Sequence, residues 1–241
     1  MQYPVTLGSS GLSAGGGAAR LVVDGTLTVN GEVNASGGDG GKYYNGAGGS
    51  IWLDCGALAG AGTVRANGGC PSFEKYNLGG GGGRIAVYVA QGGLANWGGS
   101  LRAWGGWNTQ LYTEKRAGGY AGTVYVQEGA QLGTVTIDNN GGHEVVVNQQ
   151  TVIGADWPMA DDTEQFRKGV RLVIRNGGHV TVLRDANAGD VSLEDGGFLT
   201  VTNVTLSIYR HDHKKRRGWT GTVQSANGAI VWKGGFLLLV K

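Results

Sequence analysis

A short unit recurs four times in the first 142 residues and constrains the fold more than any other feature of the sequence. Each unit has a glycine cluster, a strand-like apolar run, a turn, a second short apolar segment and a Gly-Gly pair. The second segments with their glycine pairs span residues 33–38, 64–69, 101–106 and 137–142. Strands this short cannot bury a core within one unit, so we expect the units to stack on one another.

Glycine supplies 49 of the 241 residues, and proline only 3. That glycine content is about three times the usual share, yet it lacks the strict triplet period of collagen. The net charge of +2 and the 40% of hydrophobic residues disfavour a disordered chain. In a stack, glycine permits positive φ at corners and close approach of neighbouring backbones. Asn-Gly pairs that suit tight corners begin at Asn30, Asn45, Asn67, Asn140, Asn176 and Asn227.

The units predict an all-β chain, and we favour a right-handed parallel β-helix, that is, a β-solenoid with irregular glycine-rich loops, over a β-sandwich. The glycine-rich units resemble repeats of large secreted and cell-surface bacterial proteins. The residues that carry this resemblance are 49–53, 60–69 and 79–88. The resemblance implies an extracellular β-helix module of something larger, and it brings no catalytic residues with it.

Two regions are expected within one continuous stack. Residues 1–142 form the loop-bearing units, and residues 143–241 form a tighter continuation, in which the pattern of 174–178 recurs at 193–197. The apolar segment 236–240 either pairs into the stack or offers an edge to another chain. Together with residues 3–7 it is a candidate for completing the sheet of a neighbouring copy by strand addition.

Aromatic and basic residues occupy the loops that follow the glycine pairs. If the units stack in register, these loops emerge on one side, where aromatic rings can pack on sugars and Lys or Arg can bond hydroxyl or acidic groups. The predicted glycan-contacting residues are Tyr43, Tyr44, Tyr76, Trp107, Tyr112, Lys115 and Arg116. Alternatively, these aromatic side chains fold back onto the stack or close an interface with a neighbouring subunit.

Cys55 and Cys70 allow a disulfide in an oxidising compartment, and two reduced, half-buried thiols are the alternative. Two cysteines without a Cys-x-x-Cys pair do not predict a zinc site.

The run 79–83 leads into Arg84 and a strand instead of the Lys and helix of a phosphate-binding loop. We therefore predict no metal and no cofactor. The small net charge does not favour nucleic acid as a partner, and the longest apolar runs are too short for a membrane span.

The function that these features predict is that of an extracellular or cell-surface structural or adhesive module, either glycan-binding or assembling into a filament by strand addition. A polysaccharide lyase or glycoside hydrolase is the alternative, because β-helices host such enzymes. Its candidate acids, Asp156, Asp161, Asp162 and Glu164, fall in a single loop, whereas hydrolysis needs two carboxyl groups held about 5–10 Å apart. A basic cluster at 211–217 is either a solvated loop or a site for a sulfated or uronic-acid glycan, DNA or an anionic surface.

Overall fold

The structure, a computed structural model, describes residues 4–40, 44–71, 79–107, 118–141, 151–153, 170–209, 219–233 and 236–238. Every regular element in these ranges is a β-strand, so the prediction of an all-β chain is confirmed for the described residues. In chain order the strands are β1 (Ala18–Thr28), β2 (Glu32–Asn34), β3 (Ser50–Ala59), β4 (Thr63–Arg65), β5 (Arg84–Val89), β6 (Ser100–Arg102), β7 (Thr123–Glu128), β8 (Thr134–Asp138), β9 (Thr151–Ile153), β10 (Arg171–Arg175), β11 (His179–Val182), β12 (Ala186–Ala188), β13 (Asp190–Leu193), β14 (Phe198–Thr202), β15 (Thr205–Ile208), β16 (Thr222–Ala226), β17 (Ala229–Trp232) and β18 (Phe236–Leu238).

The first strands of successive units pair in parallel and in register. Ile51 of β3 lies between Ala19 of β1 and Ile85 of β5, and β5 continues onto β7. The second strands of the first three units form a separate parallel sheet, β2-β4-β6. Buried side chains such as Leu53 and Val64 fill the space between the two sheets. Stacking thus gives each short strand the core that its own unit lacks.

The prediction of a right-handed parallel β-helix is wrong, because the stacking does not continue through the chain as one coil. β8 turns back along β7 as its antiparallel neighbour, with Tyr125 opposite Val135. β8 then pairs in parallel with β10, which makes a mixed seven-stranded sheet in the order β1-β3-β5-β7-β8-β10-β13. The connection 129–133 is short and includes Gly129 with a φ of 52°. A short connection joins antiparallel neighbours, whereas a parallel neighbour requires a longer crossover.

The remaining strands form two further four-stranded sheets, in the orders β16-β14-β11-β9 and β12-β15-β17-β18. The repeat noted at 174–178 and 193–197 places its two copies side by side, because Ile174 pairs with Leu193 and Gly177 N donates to Gly196 O at 2.7 Å. Strand β18 pairs antiparallel with β17 of its own chain. The apolar segment was expected either to pair into the stack or to offer an edge to another chain. Residues 236–238 pair within their own chain.

The glycine clusters lie outside these sheets and pack against one another as extended segments. Successive backbone N–H groups of one segment point to different neighbours: Ala47 donates to Ser9 O at 2.9 Å and Gly48 to Gly81 O at 2.8 Å. Gly46 and Gly49, three residues apart, both donate to the 35–38 segment. A return to the same neighbour after three residues matches the three residues per turn of a polyproline II helix. We call the packed segments 8–16, 35–38, 46–49, 66–69, 79–83, 103–106 and 118–122 the glycine block.

One chain of backbone hydrogen bonds crosses the whole glycine block. Gly69 N donates to Gly46 O at 2.8 Å, Gly80 N to Gly69 O at 3.0 Å, Gly106 N to Gly80 O at 2.8 Å and Gly119 N to Gly106 O at 2.9 Å. The glycines in this chain do not have positive φ. Of the two roles predicted for glycine, close backbone approach is therefore the one that operates here.

Positive φ occurs at other positions. Three of the six Asn-Gly corners, at Asn140, Asn176 and Asn227, have a left-handed asparagine with φ near 50°. Asparagine tolerates this conformation better than most residues because its side chain bonds locally. The corner function predicted for these dipeptides is confirmed at those three positions.

Candidate functional site

The residues that precede the three loops predicted to bind glycan lie next to one another. Cys70 N donates to the Asp39 carboxylate at 2.7 Å, and Gly40 N donates to Cys70 O at 3.2 Å. The Cys70 thiol in turn has a hydrogen bond with the backbone of Trp107. Residues 39–40, 70 and 107, just before the three loops, therefore lie side by side along one edge of the glycine block. We call this line the loop edge.

Two of the predicted glycan-contacting residues are described. Tyr44 is 59% exposed, and its carbonyl oxygen accepts a hydrogen bond from Leu12 N at 2.9 Å. Trp107 is half-buried, with its Cβ close to Gly118 at the other end of the same loop. Both therefore lie at the bases of loops. Tyr43, Tyr76, Tyr112, Lys115 and Arg116 fall outside the described residues.

The structure contains no disulfide between Cys55 and Cys70, whose thiols are both free. Cys55 lies in β3 with its side chain in the core, where Sγ is 3.7 Å from Tyr88 O. Cys70 belongs to the loop edge instead, against Asp39 and Trp107. Burial raises the pKa of both thiols, and the neighbouring carboxylates of Asp54 and Asp39 raise them further, while the bond to Trp107 partly opposes this at Cys70.

A cleft of about 490 Å³ opens beside β6, where β8 departs from the stacking pattern. β6 is the last strand of the sheet β2-β4-β6, because the second strand of the fourth unit has joined the other sheet. The side chains of Leu101, Val124 and Val126 line the apolar part of this cleft. An edge strand also presents backbone N–H and C=O groups that are free for a ligand.

The β6 wall of the cleft carries Trp97, Arg102 and Trp104. The guanidinium of Arg102 lies over the Trp104 ring, 4.9 Å from its centroid, and Arg102 has no ion pair with another residue of the described ranges. The backbone around Trp104 is fixed by the preceding unit, because its N–H donates to Asn67 Oδ1 at 3.0 Å. This wall therefore presents indole rings and a cation that is not neutralised by another described side chain.

The opposite wall carries Thr136, Asp138 and Arg175. Asp138 Oδ2 accepts from Arg175 Nε at 2.7 Å and from Asn176 Nδ2 at 3.1 Å, and Oδ1 accepts from Asn140 N at 2.8 Å. Both oxygens of this carboxylate are thus already bonded. Asp138 holds Arg175 in place, and three of the roughly four acceptor positions of its carboxylate are occupied.

The two walls are tied together at the end of β8 by Asn139, which is only 3% exposed. Its Oδ1 accepts from Gly105 N at 2.8 Å, and its Nδ2 donates to Gly119 O at 3.2 Å. One amide side chain therefore satisfies two backbone groups of the glycine block. The contact fixes the spacing of the walls at this end of the cleft.

Two strand aromatics, Trp52 and Tyr88, belong to a packed row with Tyr125. Ring centroids are 6.4 Å apart for Trp52 and Tyr88 and 5.5 Å apart for Tyr88 and Tyr125. Trp52 is 8% exposed and Tyr125 only 3%. Trp52 and Tyr125 therefore serve the packing of the sheet, and Tyr88 is partly buried between them.

The repeating units do not reveal the cleft residues Trp97, Arg102, Trp104 and Arg175. The signal was present as the short connection 129–133 between two alternating segments, which is typical of a hairpin. The acids Asp156, Asp161, Asp162 and Glu164 and the basic cluster 211–217 lie outside the described residues. In the ranges that are described, groups of three or more His, Cys, Asp or Glu able to hold a metal ion do not occur.

A helix long and apolar enough to cross a membrane is not found in the described part of the chain. Comparisons of the chain with protein-family models, with curated proteins and with solved structures find no match.

Proposed function

We propose that this chain is an extracellular structural or adhesive module that binds acidic polysaccharide in the cleft between β6 and β8. The observation that carries the proposal is Arg102, a guanidinium without an ion pair among the described residues, stacked on Trp104 inside a cleft of about 490 Å³. The extracellular setting rests on the resemblance of the glycine-rich units to secreted repeats.

Size and chemistry of the cleft both suit a short stretch of sugar. Ligand sites commonly measure about 300–1,000 Å³. Indole rings of Trp97 and Trp104 offer flat apolar faces for sugar C–H groups, and the Thr136 hydroxyl can bond sugar hydroxyls. A uronic carboxylate or a sulfate would form a charge-assisted, bidentate pair with Arg102.

The loop edge gives the proposal its adhesive character. Three loops that contain the predicted Tyr43, Tyr76 and Tyr112 begin at adjacent points of a rigid block. Several weak contacts at fixed spacing add up to a high avidity for a long polymer. A binding surface of this kind needs only modest affinity at each contact.

Binding is favoured over catalysis by the state of the cleft carboxylate. Hydrolysis requires one carboxyl as acid and another as base or nucleophile, and the Asp138 carboxylate already accepts three hydrogen bonds. Arg175, the group paired with it, also lies 3.9 Å from Glu194. These ion pairs hold the wall rigid, which benefits a binding site.

The test is a binding assay of the purified chain against acidic and neutral polysaccharides, for example polygalacturonate and its methyl ester. We expect binding to the acidic polymer, and a loss of about ten-fold or more in affinity for Arg102→Gln, because a hydrogen bond to a charged group contributes about 1.5–3 kcal/mol. Arg65→Gln is the matched control: Arg65 pairs with Arg102 in register on β4 but bonds Glu32 and does not line the cleft.

A triple replacement of Tyr43, Tyr76 and Tyr112 by Ala measures the contribution of the loop edge separately. Equal binding of the wild-type chain and Arg102→Gln would contradict the cleft as the sugar site. Failure to bind any acidic polymer would contradict the proposed function. Release of unsaturated or reducing ends in the same samples would favour the enzymatic alternative instead.

A further inference from the structure

The first unit leaves an apolar strand edge exposed. β1 is the edge strand of the seven-stranded sheet and is mostly exposed along its length. Val22 is 56% exposed and Leu21 36%. Of the eight large hydrophobic side chains exposed in the described ranges, five come before Val23; besides these two they are Val5, Leu7 and Leu12. Exposed apolar surface is therefore concentrated at this end of the molecule.

Backbone groups along the outer side of β1 point away from its neighbour. Ser50 N of β3 donates to Gly17 O at 3.0 Å, and parallel pairing then uses alternate residues of β1, namely Ala19, Leu21 and Val23. The N–H and C=O groups of Arg20, Val22 and Asp24 consequently face outward. Natural edge strands are usually protected by Lys, Pro or short length, whereas β1 has eleven residues and neither Lys nor Pro.

We propose that two copies of the chain pair through β1 in antiparallel orientation, with Val22 on the two-fold axis. In this register Val22 faces Val22 of the partner subunit, and Arg20 faces Asp24 of the partner subunit. These three outward-facing positions are the ones whose backbone groups are turned to the edge, so each pair exchanges both of its backbone hydrogen bonds.

The charges of β1 select this register. Arg20 and Asp24 are its two charged residues and lie symmetrically about Val22. A two-fold axis at Val22 therefore creates two opposite-charge cross-strand pairs, which stabilise a sheet. An axis at Arg20 or at Asp24 would instead place like charges opposite each other, which is destabilising. Such self-complementarity is what an isologous interface requires.

A bulge limits the new ladder. The pairing of β1 with β3 shifts between Val23 and Thr26, so we expect the intermolecular ladder to run from Arg20 to Asp24 and to fade beyond it. The terminal segments considered for strand addition are engaged within their own chain. Thr6 O accepts from Ser50 Oγ at 2.7 Å, and residues 236–238 pair with β17.

The experiment exploits the symmetry of the charge pairs. The wild-type chain should elute as a dimer by size-exclusion chromatography with light scattering, whereas Arg20→Asp and Asp24→Arg should each raise the dissociation constant about ten-fold or more. In both single variants the proposed register places like charges opposite each other. An equimolar mixture of the two variants places Asp opposite Arg at both sites, so a heterodimer should form with nearly wild-type affinity.

The mixture also shows that both variants are folded, because only folded chains can restore the interface. Val22→Cys supplies an independent check: like residues on the axis lie about 5.5 Å apart between Cα atoms, which suits a disulfide. Oxidation should therefore cross-link Val22→Cys but not the exposed control Thr28→Cys. A monomeric wild-type chain at all concentrations would overturn the proposal, as would single variants that remain dimeric. A mixture that stays monomeric would overturn it too.

Discussion

Replacing Gly80 by alanine tests the inference that the glycine block depends on close backbone approach. Gly80 is buried in the middle of the hydrogen-bond chain that crosses the block. A Cβ at this position would overlap the carbonyl oxygen of Gly46, 2.7 Å from its carbonyl carbon and 3.1 Å from Gly69 N. Ordinary contact begins near 3.4 Å, and all of these atoms belong to backbone, which cannot rotate away as a side chain can.

The magnitude follows from what must move. Separating the segments strains two hydrogen bonds, Gly80 N to Gly69 O at 3.0 Å and Gly106 N to Gly80 O at 2.8 Å. Each bond contributes about 1 kcal/mol, and overpacking adds about 1–3 kcal/mol. Alanine lowers the entropy of the unfolded chain, which returns about 0.4–1 kcal/mol. We therefore expect the free energy of unfolding to fall by about 2–5 kcal/mol for Gly80→Ala.

Gly81→Ala is the matched control, one residue further along the same segment. A Cβ on Gly81 would meet nothing within 4 Å, and its φ is not positive. This variant should be as stable as the wild-type chain or slightly more stable, because only the unfolded-state effect applies. Urea unfolding measured in parallel gives the comparison, with an accompanying difference in Tm of about 10 °C. Similar midpoints for the two variants would refute close packing as the reason for these glycines.

Three further predictions concern titratable groups and the cleft. With a maleimide at pH 7.5, half-buried Cys70 should react slowly and buried Cys55 hardly at all. Both labelling rates should rise with pH, because burial raises the pKa of both thiols. Rapid labelling of Cys55 would contradict its place in the core. Burial lowers the pKa of His179, so below about pH 6.5 the unfolded chain binds a proton at this residue more readily than the folded chain does. The urea midpoint of unfolding should therefore fall as the pH drops from 7.5 to 5.5. In His179→Gln this part of the fall should disappear. Asn139→Ala should lower the free energy of unfolding by about 2–4 kcal/mol, because two buried backbone groups lose their partner, whereas a change at exposed Asn30 should have little effect.

The strand pattern was predictable because alternation and repetition are local signals. The parallel pairing of Ile51 with Ile85 and of Ile174 with Leu193 follows from segments that are similar in sequence. What repetition could not reveal is where the stacking stops. That depends on the length of one connection, 129–133, which turns β8 back on β7 and removes the covering strand from β6. The cleft exists for this reason, so its residues could not be found from the unit pattern alone.

The role of glycine was predictable only in part. High glycine content indicates that backbone segments approach one another closely. Which segments become neighbours depends on the three-residue turn of each segment. Ala47 donates to Ser9 and Gly48 donates to Gly81, and nothing in the composition distinguishes this from a corner in a β-coil. Gly46 and Gly49 both donate to segment 35–38, and Gly80 and Gly83 both donate to segment 66–69. Glycines three residues apart are therefore the sequence signal of this packing.

The hairpin also gives the glycine-rich stack two different ends, and this bears on assembly. At the far end, Asn139 bonds both Gly105 N and Gly119 O and β8 lies along β7, so the chain covers the β7 edge itself. At the near end, β1 remains an edge with Val22 exposed. A filament needs two open ends, because each subunit must offer one surface and receive another. Pairing through β1 is complementary to itself and occupies the β1 edge of both subunits, so assembly through this edge should stop at two copies. Continuous fibres in electron micrographs of the wild-type chain would show that this reasoning about its two ends is mistaken.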